Sequence, residues 1–195
     1  MSTDAAPIIE PRAQSLNAVR DVIPDVCYER PAGPAVRALV RAWVVYAVTI
    51  AVLASVHSWW AVGLMWLAAG LAVSGLFVLG HDASHGALTS SIKANRILAQ
   101  LCMAPSIHVE SAWDLGHNRI HHGFTTRQGF DFVWHPATVE EYRGLGRFAR
   151  LQHRIEWSAF GSGVYYLRTV WWQKMWRFNG QSKNRGQIIR DKSTL

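Results

Sequence analysis

The stretch AWVVYAVTIAVLASVHSWWAVGLMWLAAGLAVSGLFVLG, residues 42–80, contains no Asp, Glu, Lys or Arg. A helix crosses a bilayer with about 20 apolar residues, so this run is too long for one span and suits two. We predict membrane helices over 38–56 and 60–80, joined by a hinge at Ser55–Trp60 whose paired tryptophans lie at interface depth. The alternative, a buried helical hairpin in a soluble bundle, is disfavoured because soluble cores rarely hold so long an uncharged run.

The distribution of Lys and Arg predicts the orientation of this hairpin. The hinge contains neither residue, whereas both flanks contain several. Both ends of the hairpin are therefore expected to face the cytoplasm. Arg41 is expected to extend to the headgroups on that side, and His57 to lie at the opposite interface. The predicted fold class is all-α integral membrane, a transmembrane helical hairpin with cytoplasmic and interfacial helices.

The chain is expected to have three regions, 1–37, 38–80 and 81–195. The first is a cytoplasmic N-terminal segment, in which SLNAVRDVIP is a short amphipathic helix on the membrane surface that Pro24 ends. The second is the hairpin, and the third is cytoplasmic and interfacial. Two apolar stretches of the third region are too short to span the membrane and are expected at the interface, and its polar tail is expected to be partly disordered. These segments are 95–109, 161–172 and the tail 179–195.

The net charge of +7 lies entirely in residues 81–195, because acidic and basic residues cancel before them. A basic region beside a membrane fits anionic lipid or an acidic protein partner. No nucleic acid partner is expected, because the basic residues alternate with tryptophans in membrane-interface patterns. The cysteines, Cys27 and Cys102, are far apart and are expected to be reduced thiols. The start MSTDAAPIIEPR does not have the pattern of a cleaved signal peptide.

Two histidine clusters, HDASH at 81–85 and HNRIHH at 117–122, follow the apolar run. Each contains a pair four residues apart, and in an α-helix such residues lie on one face about 6 Å apart, so both imidazoles can reach one metal ion. The doublet His121–His122 adds a further histidine. In an α-helix His122 points about 100° away from His121, so we expect it to serve a second ion or to support the first ligands. The predicted metal ligands are His81, His85, His117, His121 and His122.

The residue types favour a histidine-rich di-iron centre over other metal sites. Imidazole suits zinc, copper, iron and nickel. Structural zinc usually recruits cysteine, and neither cysteine lies in the clusters. The HExxH motif of a zinc protease and the Glu-x-x-His pairs of a soluble di-iron bundle are both missing from the clusters.

Neighbouring polar residues are candidates for orienting the ligands. Asp82, Asp114 and Asn118 are placed to accept the second N–H of a ligand imidazole, although Asp82 could equally cap a helix. His108 lies in a different local pattern and is not expected to be a ligand. The remaining two histidines, His135 and His153, are expected to be structural.

At these clusters the chain resembles integral-membrane fatty acid desaturases. That family carries three histidine boxes, of the forms HxxxH, then HxxxHH or HxxHH, then a late HxxHH; HDASH matches the first and HNRIHH the second. The stretches IPDVCYER, WHPATVEEY and RGQIIRDKSTL are similar to the delta-12 (omega-6) acyl branch. The resemblance covers nearly the whole chain.

The resemblance implies the chemistry. Two non-haem iron ions would activate O2 and remove two hydrogens from adjacent methylenes of a fatty acyl lipid, giving a cis double bond and water. Unactivated C–H bonds need such an oxidant, because no side-chain acid or base can attack them. Electrons would come from a donor such as ferredoxin or cytochrome b5, which the basic region could dock.

One departure from the family pattern bears on activity. No HxxHH follows His122, and no further span follows the hairpin. We therefore expect this to be the N-terminal part of a desaturase domain, inactive alone. Two alternatives remain open: a related membrane di-iron hydroxylase, acetylenase or ketolase, which product analysis would separate, and a non-catalytic membrane hairpin, which would hold almost no iron.

Overall fold

The computed structural model describes residues 16–178 and 185–195, and these are helical with no strand. Two π-helical segments, Asp114–His121 and Tyr166–Trp176, directly continue the helices α5 and α8. Short 3-10 turns lie at Asp25–Tyr28 and Ala104–Ser106. The α-helices are α1 Leu16–Arg20, α2 Ala32–Ser55, α3 Trp59–Ser84, α4 Ile92–Met103, α5 Glu110–Trp113, α6 Val139–Gly144, α7 Arg147–Glu156, α8 Ser162–Tyr165 and α9 Arg185–Lys192.

The helices α2 and α3 confirm the predicted hairpin. They have 24 and 26 residues, which at 1.5 Å per residue gives about 36 and 39 Å, more than the roughly 30 Å of hydrocarbon in a bilayer. Their apolar windows have mean hydropathies of 1.9 and 2.2, and few of the side chains are buried by protein. Leu67 and Leu71, for example, are 69% and 76% exposed. Such surfaces are stable against lipid, so the fold class is an all-α membrane fold.

The first membrane helix begins earlier than its sequence pattern predicts. It starts at Ala32 rather than near residue 38, with Pro34 in its first turn. Proline is tolerated there because the first backbone N–H groups of a helix have no partner within it. The hinge is short, and His57 is exposed within it. Of the predicted amphipathic segment, Ser15 lies outside the described residues, and the helix α1 ends at Arg20, before Pro24.

The second membrane helix continues past Gly80, where the hydrophobic pattern ends, to Ser84. Its termination is explained by Gly86, which has a φ of 70°, a conformation that glycine adopts without steric cost. The N–H of Ala87 donates to the carbonyl of Asp82 at 2.8 Å, which closes the helix end. As a result, His81 lies on the same continuous helix as the membrane span.

The helix α4 packs against the last turns of α3. Its buried face contains Asn95, Ala99, Cys102 and Met103. The side chain of Asn95 accepts from the Thr89 N–H and donates to the Thr89 carbonyl, both at 2.8 Å, and so holds the connecting loop against the helix. This segment, predicted to be interfacial, is therefore an amphipathic helix whose apolar side covers α3.

The described part of the C-terminal tail is helical. Arg185–Lys192 form α9, in which Ile188 is 1% exposed; the prediction of partial disorder for this tail is not tested, because residues 179–184 lie outside the described ranges. Ile188 lies in the main core, which joins α5 to the second π-helical segment. Burial of this side chain stabilises a helix that is otherwise polar. The buried core residues are Met103, Val109, Ala112, Trp113, Val170, Met175 and Ile188. Both cysteines are free, as predicted.

Replacing Gly80 by alanine is expected to loosen the contact between α3 and α4. A Cβ at this position would lie 2.8 Å from Cγ of Met103 and 3.3 Å from the carbonyl oxygen of Ala99. Overpacking of this kind costs about 1–3 kcal/mol, so Gly80→Ala should lower the melting temperature in lipid nanodiscs. Gly70→Ala is the control, because a Cβ there meets nothing within 4 Å. Equal melting of the two variants would contradict the close approach.

The buried carboxyl of Glu110 is expected to make stability depend on pH. Burial raises its pKa to about 7, against an opposing attraction from Arg96. The folded state thus binds the proton more tightly than the unfolded state, so stability is highest below about pH 4.5 and falls as pH rises to about 7. The loss is of the order of 3 kcal/mol. Glu110→Gln should flatten this dependence in thermal melts between pH 5 and 8; an unchanged slope would exclude Glu110 as its source.

Candidate metal centre

Four of the five predicted ligands converge at the end of the membrane hairpin. His81 lies in the last turn of α3 and His85 directly follows it, while His117 lies in the first π-helical segment and His122 directly follows that segment. One ring nitrogen of each lies within 4.8 Å of the others. The two clusters, which lie more than thirty residues apart in sequence, thus form one group.

The contacts within this group are difficult to explain by hydrogen bonding alone. Nε2 of His117 lies 3.1 Å from Nε2 of His81 and 3.2 Å from Nε2 of His122. An imidazole nitrogen carries either one N–H or one lone pair, so it cannot make a normal hydrogen bond to both neighbours. Two nitrogens bound to one ion at about 2.0–2.1 Å would be about 3.0–3.4 Å apart. The donor set therefore fits a metal ion.

The π-helical register of the second cluster differs from the predicted α-helical one. The N–H of His122 donates to the carbonyl of His117, an i to i+5 bond of 3.0 Å. His122 therefore shares the face of His117, the place that the predicted α-helical spacing gave to His121. A π-turn contains one more residue than an α-turn. The second histidine of the doublet, His122, therefore occupies the place that His121 would have in an α-helix.

His121 is held in place by Asp131, a residue that the sequence reasoning missed. Nδ1 of His121 lies 2.9 Å from Oδ1 of Asp131, which is fully buried. The Asp131 carboxylate also accepts the Thr126 N–H at 2.8 Å and the Val133 N–H at 3.0 Å. Burial alone would raise its pKa, but these hydrogen bonds outweigh burial and hold the pKa below its usual value. A carboxylate on Nδ1 leaves Nε2 of His121 with a lone pair.

Of the three predicted supporting residues, only Asp82 contacts a histidine. Its Oδ1 lies 3.1 Å from Nδ1 of His81. Asn118 instead donates to Oδ1 of Asp114 at 3.1 Å and to Oγ of Ser84 at 3.0 Å. Asp114 and Asn118 therefore connect the two histidine-bearing segments, because Ser84 ends α3.

The environment keeps the central imidazoles neutral. Burial, then the neighbouring His81 and His122 rings, lowers the pKa of His117 to about 3. Burial and His81 also lower the pKa of His85. Trp113 stacks on His117 with ring centroids 4.3 Å apart, and Nδ1 of His117 has no hydrogen-bond partner among the described residues. Neutral imidazole is the form that binds metals.

The other histidines lie outside the group. His108 is buried, with Nε2 2.9 Å from the Tyr166 hydroxyl and Nδ1 2.9 Å from the Ser106 carbonyl. His153 accepts the Ala137 N–H at 3.2 Å, and His135 lies 3.4 Å from the Gly129 nitrogen. These contacts support local structure.

An apolar cavity of about 230 Å³ adjoins His117. It lies between α5 with its π-helical continuation, the Phe132–Val133 turn and the second π-helical segment. Its walls are formed by Ala112, Trp113, Gly116, His117, Phe132, Val133, Tyr166, Val170, Lys174 and Met175. The space next to the histidines is thus suited to an apolar chain rather than to a polar molecule.

Asp131→Asn is expected to disturb His121. The amide would place an N–H₂ group toward the Thr126 N–H or toward His121, leaving one buried donor unpaired at a cost of about 1–3 kcal/mol. The neutral amide also accepts more weakly than a carboxylate, so the Nδ1–H tautomer of His121 should become less populated. Ring ¹⁵N chemical shifts report the tautomer. Asp82→Asn is the control, since its carboxylate contacts His81 only; an unchanged His121 tautomer in Asp131→Asn would contradict the assignment.

The chain is similar to curated fatty acid desaturases. The chain is 27% identical over 67% of its length to the sn-1 oleoyl-lipid 12-desaturase of Arthrospira platensis, covering 39% of that protein. It is 26% identical over 89% of its length to the Synechocystis protein of the same name, covering 49%. It is 28% identical over 68% of its length to the chloroplastic sn-2 acyl-lipid omega-3 desaturase (ferredoxin) of Helianthus annuus, covering 30%. The chain thus spans half or less of the length of these relatives.

The chain also matches a protein-family model. No solved structure matches the chain significantly. The fatty acid desaturase model matches residues 57–190, a range that includes both histidine clusters, Asp131 and most of α9. Together with the membrane hairpin, this match shows that the chain belongs to the fatty acid desaturase family.

Proposed function

We propose that the chain acts in the O2-dependent desaturation of a fatty acyl chain of a membrane lipid, using iron held by its histidine clusters. The observation that carries this proposal is the convergence of four imidazoles within 4.8 Å where a membrane helix ends. The names of the relatives, which act on oleoyl or other acyl lipids, support the substrate class. The apolar cavity beside His117 offers space for an acyl chain.

The residues divide into roles around two iron ions. His81, His85, His117 and His122 would hold one ion, and His121 would offer Nε2 to a second. Bound iron would supply the oxidising power, drawn from O2, that removal of hydrogen from unactivated methylenes requires. Asp131 orients His121, and Asp82 orients His81, by accepting Nδ1–H.

The protein surroundings favour this use of the site. Burial and the stacked Trp113 limit water around His117, which reduces loss of an activated oxidant to side reactions. The cavity wall then holds the acyl chain against the same histidine. With His81 in the last turn of α3, the cluster would lie just beyond the bilayer, where a lipid tail would reach it from the membrane and electrons from the aqueous side.

The orientation and the electron donor follow as parts of this proposal. Lys and Arg flank the hairpin at the end that carries the clusters, so that end is assigned to the cytoplasm. The basic residues of 81–195 would dock an acidic carrier such as ferredoxin or cytochrome b5. The Helianthus relative, whose name includes ferredoxin, supports the first of these.

Metal binding by the full chain tests the proposal. In lipid nanodiscs under anaerobic conditions, Fe(II) or Co(II) should bind, with d–d absorption bands that report nitrogen ligands for cobalt. His117→Ala removes the central nitrogen, and His122→Ala tests the π-helical register; each should weaken binding by at least about tenfold. His135→Ala is the matched control and should bind as the wild type does.

Two outcomes would contradict the proposal. One is a wild-type chain that binds no iron or cobalt. The other is binding that survives loss of His117, because the four-histidine group would then not be the site. Because the chain is expected to be inactive alone, the reactions are separated by mass spectrometry of lipids from cells that express the full-length protein: loss of two hydrogens marks a desaturase, and gain of one oxygen marks a hydroxylase.

A further inference from the structure

The helix α7, Arg147–Glu156, has a strongly divided surface. At 100° per residue, Phe148, Leu151 and Ile155 fall within about 60° of one another and form an apolar stripe. Arg147, Arg150 and Arg154 fall on an adjacent strip. The stripe is not part of the core, because Phe148, Leu151 and Ile155 are 89%, 56% and 49% exposed.

The opposite side of α7 is fixed to the rest of the protein. Glu156 is buried and receives two hydrogen bonds from Arg168, at 2.7 and 3.0 Å. His153 accepts the Ala137 N–H at 3.2 Å. The helix therefore cannot turn its stripe inward without breaking the ion pair of the buried Glu156 with the partly exposed Arg168, so the stripe faces outward.

The exposed apolar surface continues in the turn after the helix. Phe160 is 100% exposed, and Val164 and Leu167 in the next helical segments are 50% and 60% exposed. Four exposed apolar side chains within the range 148–160 are unfavourable in water, since each would gain free energy by leaving it.

We propose that α7 is a membrane-surface anchor that lies in the headgroup layer of an anionic bilayer. The stripe of Phe148, Leu151 and Ile155, together with Phe160, inserts among the acyl chains, and the arginine strip binds lipid phosphates. An apolar stripe beside arginines matches the chemistry of that layer, which is apolar below and negatively charged above. The hairpin tethers the helix to a membrane, so even weak docking is favoured. This depends on the membrane hairpin and not on the proposed chemistry.

The depth of α7 can be measured in the full chain. In a Cys27→Ser background, which leaves only the buried Cys102, a fluorophore is attached at Leu151→Cys and the chain is reconstituted in vesicles. Nitroxide-labelled lipids should quench it at least about threefold more than the same fluorophore at Glu140→Cys, an exposed acidic position on α6. Quenching should increase when phosphatidylglycerol is added to phosphatidylcholine and decrease with salt.

The arginines are tested in the same background. In vesicles that contain phosphatidylglycerol, Arg147→Gln and Arg150→Gln should each lower the ratio of docked to free helix by about fivefold, because each removes one positive charge. Phe148→Asp should abolish the extra quenching without unfolding the protein, since this side chain is exposed.

Two results would overturn the proposal. Equal lipid quenching at Leu151→Cys and Glu140→Cys, with free access of aqueous iodide to both, would place the stripe in water. Protection of Leu151→Cys from lipid nitroxide and from iodide would show a protein cover, and disulfide formation between Leu151→Cys chains would identify that cover as a second copy.

Discussion

Helix α3 is continuous from Trp59 to Ser84, so the same helix spans the membrane and bears His81. The other segments of the centre are positioned by contacts with this helix. The close contact of Gly80 with Met103 fixes α4 against it, and Asn118 joins the second histidine cluster to Ser84 at its end. The distance of the imidazoles from the lipid is therefore set by the length of a helix, which is among the stiffest elements available to a protein.

The ring nitrogens of the clustered histidines have few hydrogen-bond partners other than one another. His117 stands at the centre, with Trp113 against one face of its ring and two imidazole nitrogens near its Nε2. Burial and this crowding lower the pKa of His117, and its Nδ1 has no hydrogen-bond partner among the described residues, which is costly for a buried polar group. The same arrangement is well suited to a cation, which would satisfy the lone pairs together. The same contacts thus preorganise the imidazoles for a cation.

The sequence predicted the hairpin and both histidine clusters because these depend on local patterns. An uncharged run and a regular histidine spacing can be recognised without knowing any long-range contact. Three features could not be predicted in this way. The pairing of His121 with Asp131 spans ten residues of irregular chain, and a single aspartate gives no pattern. The docking of Ile188 depends on a core assembled from distant segments. The π-helical register of Asp114–His121 differs from an α-helix by one residue per turn, a difference that composition does not encode.

The π-helical register of the second histidine box determines which of its histidines lie on the same face. In an α-helix, a box of the form HxxHH places its first and last histidines one turn apart, at i and i+4. The form found here, HNRIHH, is one residue longer, and its first and last histidines, at 117 and 122, are also one turn apart because the turn is a π-turn. A one-residue insertion within a box can thus be absorbed by widening the helix, leaving the outer histidines in place. Box length can vary by insertion or deletion while the ligand geometry is retained.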